Sequence, residues 1–216
     1  YKRAKPYVIL LDAGLSIKQT ELRLNVAGFQ LRDIKEILVT HFDSDHFKGV
    51  WINRAKKLGI KLRFHINHWG LANKCGAPEI EHLPFGGGGV IGGCVGGFEG
   101  FEILPGCMVN TVQLAHDKTG TIGYRFDTAA GRLGFATDLG HVNGSLFDLF
   151  TELDVLAIES NYCPKMQLDS ERPMFLKRRI MGGKGHLSNE QSLEAVKRIC
   201  LKSPDLSKVM LLHLSR

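Results

Sequence analysis

The chain has 216 residues, 44% of them hydrophobic and 23% charged, which places it among ordinary globular proteins and excludes a disordered or fibrous class. No apolar run reaches the roughly 18 to 20 residues that a membrane span needs, and no charged-then-apolar leader precedes the first apolar run. The formal net charge of +6 makes a polyanion such as nucleic acid a candidate partner, although surplus lysine is commonly only a solvated surface.

Taken in chain order, "YVILLDAG" is an apolar run closed by Asp-Ala-Gly, the pattern of a buried strand ending in a turn. Leu15, Leu22 and Val26 then recur at helical spacing and predict one apolar helix face, stopped at Gly28. "EILVTH" predicts a second short buried strand, "HFKGVWINRAKKLGI" a helix up to Gly59, and "KLRFHI" a third strand. Alternating strands and helices predict an α/β layered fold. Between Gly86 and Gly100, nine of fifteen residues are glycine without the context of a nucleotide loop, so this stretch is read as a connection or a glycine-rich hairpin.

Three strands are predicted next, in "VNTVQLAH", "TIGYRFD" and "GRLGFATD", followed by a buried strand in "DVLAIES". Ser188 and Gln191 form a capping-box pattern ahead of a helix carrying Leu193, Val196, Ile199 and Cys200, and "KVMLLH" is the last strand. No internal repeat or domain boundary stands out, so residues 1–216 are read as a single domain. The five cysteines are widely spaced with no C-x-x-C pair, which argues against a zinc ribbon or a disulfide framework and fits a reducing cytoplasm.

Polar residues recur where the predicted strands end: Asp12, His41, His116, Asp138, Glu159 and His213. A single such histidine is better read as a hydrogen-bonded core or surface residue. Repetition changes that reading, because strand ends are where a rigid sheet projects side chains into a shared cleft. In "VTHFDSDHFKGV" the residues His41, Asp43, Asp45 and His46 stand at i, i+2, i+4 and i+5. Neither a straight helix nor a straight strand puts that spacing on one face, whereas a turn does. Mixed nitrogen and carboxylate donors suit zinc, manganese or iron better than magnesium or calcium.

"THFDSDH" resembles the H-x-H-x-D-H signature of the metallo-β-lactamase fold, a four-layer αββα sandwich. "LLDAGLS", "THFDSDHFKGV", "HDKTGTIGYRF", "ATDLGHV", "ESNYCPKM", "FLKRRIMGGKGHLSNE" and "LLHLSR" follow the order of its nuclease-like YycJ/WalJ-type branch. The resemblance implies two divalent ions, zinc or manganese, with iron also compatible. His41, residue 43 and His116 would hold the first ion, Asp45, His46 and His213 the second, with Asp138 bridging and Asp12 orienting the loop from beneath. It also implies catalytic roles for Asp45, for His186 as hydrogen-bond or proton donor to the scissile phosphate, and for Glu159 in orienting His186. A helix-entry role for His186 is the plain alternative.

The implied activity is phosphodiester cleavage in nucleic acid, DNA in particular, by hydroxide shared between the ions. Lys177, Arg178 and Arg179 would meet the backbone, unless they are only the exposed face of an amphipathic helix. Two other readings stay open: hydrolysis of a small ester, thioester or lactone, and a nucleic-acid-binding protein with a decayed metal site. Asp43, where the signature has histidine, is the support for decay. The resemblance further implies a strand before "YVILLDAG" and residues after "HLSR", so both ends are read as incomplete.

Overall fold

A computed structural model of the protein describes residues 6–77, 81–86 and 99–215, and the chain divides into two compact units, 1–89 and 90–216. Most of the glycine-rich stretch, residues 87–98, and Arg216 of the last quoted motif lie outside the described residues. No helix among the described residues is long and apolar enough to cross a membrane.

In the first unit, β1 (Val8–Leu11), β2 (Ile34–Leu38), β3 (Lys61–His65) and β4 (His82–Phe85) form one sheet in sequence order, every pairing parallel. Parallel neighbours need crossovers, which α1 (Ile17–Val26), α2 (Val50–Leu58) and α3 (Trp69–Lys74) supply. Ser16 opens α1 through a capping box with Gln19, and Gly59 closes α2 in the left-handed conformation at φ 65°. Ile34, Ile37, Trp51, Ile60, Leu62 and Phe64 are buried at the centre of this unit's core. Each such side chain removed from water stabilises the fold by about 1.5–3 kcal/mol.

The second unit carries a sheet in the order β10-β9-β8-β7-β6-β5. Its strands are β5 (Glu99–Leu104), β6 (Cys107–Leu114), β7 (Thr121–Thr128), β8 (Gly131–Ala136), β9 (Val155–Glu159) and β10 (Lys208–Leu212). Pairing is antiparallel from β5 to β8 and parallel between β8, β9 and β10. Its helices are α4 (Gly144–Leu149), α5 (Pro164–Asp169), α6 (Met174–Met181) and α7 (Asn189–Lys202). Leu139, Leu146, Phe150, Leu153, Leu156 and Ile158 are fully buried between the sheet and these helices. Gly134 is needed on β8 because a Cβ there would stand 2.6 Å from Leu153 Cδ1 and 3.0 Å from the Phe150 ring.

Two sheets with flanking helices agree with the α/β reading, and the capping box of α7 is present as expected, Ser188 N–H donating to Gln191 Oε1 at 2.9 Å. Two helix faces differ from expectation. On α1 the buried residues are Thr20 and Leu24, while Leu22 and Val26 are exposed. On α7 Ser192, Ala195 and Ile199 are buried, Val196 is half-buried, and Leu193 and Cys200 are exposed. In both cases small or polar side chains occupy part of the inward stripe, which hydropathy spacing does not register. Strands β4 and β5 and helices α3 to α5 have no forerunner in the sequence reading, being too short for periodicity to show, whereas α6 spans the segment of Lys177 to Arg179 that was read as a possible amphipathic helix.

Candidate metal centre

In the first unit the site residues sit where parallel strands end. Asp12 follows β1 and His41 lies three residues past β2, and the Asp12 N–H donates to the Leu38 carbonyl, so pairing fixes the two exits side by side. The carboxyl ends of parallel strands are the usual place for a ligand crevice. The signature segment closes as a turn, with the N–H groups of His46 and Phe47 both donating to the Asp43 carbonyl. The turn is clamped by the segment after β1: Ala13 N–H donates to the His46 carbonyl and Lys48 N–H to the Ala13 carbonyl. Only glycine fits next, since a Cβ on Gly14 would lie 1.4 Å from the Asp45 carbonyl oxygen.

Asp12 is the hub of this half. Its Oδ1 accepts from Thr40 N–H at 2.7 Å, and its Oδ2 accepts from Thr40 Oγ1 at 2.8 Å and meets His46 Nδ1 at 2.7 Å. Thr40 Oγ1, its proton given to Asp12, accepts from His41 Nδ1 at 3.0 Å. Both rings therefore carry their proton on Nδ1 and present Nε2, the tautomer a metal requires. Burial pushes the Asp12 carboxyl up from the ordinary carboxylate range, opposed by His46 and Thr40. Asp43 Oδ2 lies 3.9 Å from His41 Nε2 and Asp45 Oδ2 3.8 Å from His46 Nε2, so each carboxylate stands beside one imidazole. Asp45 is exposed, Asp43 half-buried and both rings buried.

In the second unit β6 runs antiparallel to β7 and β7 antiparallel to β8, so β6, β8, β9 and β10 all point the same way. Their carboxyl ends deliver His116, Asp138, Glu159 and His213 to one edge. Asp138 and His213 turn there with φ of 56° and 54°, a left-handed backbone that non-glycine residues adopt at a cost of about 1–3 kcal/mol, typically at functional positions. His116 Nδ1 donates to the Gly185 carbonyl at 2.9 Å, leaving Nε2 4.0 Å from Asp138 Oδ1. His213 Nε2 lies 3.4 Å from the same oxygen, and its Nδ1 is 2.9 Å from Asn161 Nδ2 and 3.4 Å from Glu159 Oε1.

Glu159, fully buried, gives Oε1 to His186 Nδ1 at 2.7 Å and Oε2 to the N–H of Leu139 at 2.5 Å. Asp138, Glu159, His186 and His213 each offer a ligand atom within 4.8 Å of the others. His116, its Nδ1 held by the Gly185 carbonyl, and the buried Asp138 carboxylate are donors that suit a divalent cation, whereas His186 turns Nδ1, already bonded to Glu159, toward Asp138. Because Glu159 already serves His186 and two backbone N–H groups, Asp138 is the better oxygen ligand of the four.

Three positioning groups escape the sequence reading: Thr40, Asn161 and the carbonyl of Gly185. Thr40 and Asn161 stand inside quoted motifs, but a backbone carbonyl leaves no sequence signal. The basic triad on α6 is divided by the fold. Lys177 is buried and its ammonium donates to the Leu168 carbonyl, so it is not on the surface. Arg178 is exposed, and the exposed Arg179 pairs with Asp117, next to His116. Burial raises the Asp117 carboxyl, but Arg179, His116 and His186 together outweigh it and hold it below the usual range.

The family description "Beta-lactamase superfamily domain" matches residues 7–213, and the chain belongs to that superfamily, with its metallo-β-lactamase fold. Among curated relatives it is similar to exodeoxyribonuclease YycJ of Bacillus anthracis, 28% identical over 209 residues that span 96% of this chain and 74% of the relative. It is equally similar to exodeoxyribonuclease WalJ of Streptococcus pneumoniae, 28% identical over 218 residues with the same coverage. The crystal structure of human tRNase Z, short form, shares the fold with a TM-score of 0.68 at 14% identity, over 99% of this chain and 84% of that one.

Proposed function

We propose that the protein is a metal-dependent phosphodiesterase that shortens DNA from an end, an exodeoxyribonuclease. The observation that carries this reading is the engagement of Nδ1 on His41, His46 and His116, which makes Nε2 the lone-pair nitrogen of each ring, in a chain whose curated relatives are named exodeoxyribonucleases. The net positive charge suits a polyphosphate substrate. The ligand allocation follows the resemblance: His41, Asp43 and His116 at one ion, Asp45, His46 and His213 at the other, Asp138 shared, and residues 1–216 acting as one domain. Zinc or manganese suits these donors, and iron is compatible.

Divalent ions bound there would lower the pKa of a water toward neutrality and neutralise charge on the phosphate. The protein's own groups supply the rest. Glu159 accepts from Nδ1 of His186, so the imidazolium form of His186 would aim its second N–H, at Nε2, toward the departing oxygen and give it that proton. Asp45 stands beside His46 and orients the reacting centre. Arg178 and Arg179 offer cations to the backbone of the strand.

Incubation with end-labelled single- and double-stranded DNA and RNA, with added manganese or zinc, tests the reading. Expected are stepwise DNA shortening, its loss with a chelator, and a silent His41→Ala variant. Cleavage by His41→Ala at the wild-type rate would overturn it, as would turnover of a thioester or lactone far faster than DNA. Less than one metal per chain with DNA binding intact would instead identify a decayed site.

A further inference from the structure

A cleft of about 330 Å³ opens in the second unit next to His213, with walls that include Asn161, Met166, Gln167, Arg172, Leu214 and Ser215. Asn161 belongs both to this cleft and to the candidate centre, since its Nδ2 also donates to the His213 carbonyl at 2.8 Å. The cleft therefore begins where the metal-ligating edge ends.

Gln167 is 4% exposed, and its Nε2 has no hydrogen-bond partner. The amide orientation is set by chemistry: Oε1 accepts from Arg172 NH1 at 2.7 Å, and reversing the amide would set donor against donor. Arg172 NH2 donates to Ser215 Oγ at 3.1 Å, and the two bonds hold the guanidinium plane at the cleft wall. Arginine held flat in this way suits a phosphate, which takes two parallel N–H bonds. Met166 and Leu214 also line the cleft and are exposed apolar side chains, a surface for a base or sugar. The volume falls at the lower end of the range for small-ligand sites.

We infer that this cleft seats the phosphate-bearing terminal nucleotide of the strand, with its phosphate on Arg172, whose guanidinium Gln167 holds, and its nucleoside on Met166 and Leu214. The inference rests on the exonuclease reading and deepens it: the next phosphodiester then lies at the His213 edge, and release proceeds one nucleotide at a time.

Calorimetric titration of the whole, chelator-treated chain tests it with thymidine 5′-monophosphate, thymidine 3′-monophosphate, thymidine and inorganic phosphate as probes. One of the monophosphates should bind about 10-fold or more tightly than both thymidine and inorganic phosphate, and which one reports the strand end recognised. Arg172→Gln should abolish that margin. Met166→Glu, at an exposed position that leaves folding intact, should weaken the same monophosphate by placing a carboxylate in the cleft. Binding of all four probes within twofold of one another, or wild-type affinity in both variants, would overturn the inference. DNA cleavage with no monophosphate preference removes the cleft assignment and leaves the nuclease reading. Monophosphate binding with no cleavage under any metal does the reverse.

Discussion

Glu159 Oε1 lies 2.7 Å from His186 Nδ1, and the other oxygen of the same carboxylate is held by the Leu139 N–H. The carboxylate is thus fixed before the imidazole meets it, and His186 inherits a fixed ring plane and a fixed tautomer. Glu159→Gln replaces an acceptor that holds Nδ1–H with an amide able to face it with either end. We expect kcat on DNA to fall about 10²- to 10³-fold with KM little changed. A KM effect alone would show that His186 binds substrate rather than moving a proton.

Asp12 supports two imidazoles, one directly and one through Thr40. Asp12→Asn keeps the size but loses the charge that draws Nδ1–H of His46. Zinc or manganese affinity should fall about 10- to 100-fold, read by competition with a chromophoric chelator. An unchanged affinity would mean the two rings are positioned by the turn alone.

Asp43 places an anionic oxygen where the signature has a nitrogen, 3.9 Å from His41 Nε2. Harder oxygen donors favour manganese over zinc relative to imidazole. Asp43→His should raise zinc affinity at the site and lower the manganese-to-zinc activity ratio. Identical zinc titrations for both proteins would show that Asp43 is not a ligand.

His68 is 1% exposed, and neither ring nitrogen has a hydrogen-bond partner. Burial first, and the neighbouring His65 second, push its pKa down from 6.5 to about 4. Unfolded His68 takes up a proton as pH falls through 6.5, whereas the folded residue does so only near 4. Its contribution is therefore complete above 6.5, declines between those values and is gone below 4, a change of about 3 kcal/mol. His68→Leu should flatten this acid limb in urea melts and be no less stable at pH 7, because an apolar side chain leaves nothing unsatisfied. A variant as acid-sensitive as the wild type would assign the limb to other groups.

Lys177 and Arg178 are neighbours with opposite fates, one buried on the Leu168 carbonyl and the other exposed. Arg178→Ala should weaken DNA binding and reduce the slope of log K against log salt by about 1. Lys177→Ala should leave that slope unchanged and lower stability by about 1–3 kcal/mol, through lost packing and an unpaired carbonyl. A salt slope reduced equally in both variants would place Lys177 on the DNA after all.

Much of the fold was legible in the sequence, and for identifiable reasons. The strand of "EILVTH" and the three strands between Val109 and Asp138 show because their apolar content is dense. The capping box of α7 and the Gly59 stop are local chemistry, complete within a few residues. The inward faces of α1 and α7 were not legible, because Thr20, Ser192 and Ala195 are buried although their small or polar side chains carry no strong hydropathy signal.

For the candidate site, the sequence by itself determined which side chains carry donor atoms and that they recur at strand ends. That much is a property of composition and spacing along one dimension. Only the tertiary structure decided how those atoms are aimed. The Asp12–Thr40–His41 chain depends on β1 lying beside β2, and the His116 tautomer depends on a carbonyl 69 residues away. The burial of Lys177 depends on α5 ending beneath α6. Hydrogen bonds act over about 3 Å in space, and separation along the chain carries no information about which pairs will meet at that distance.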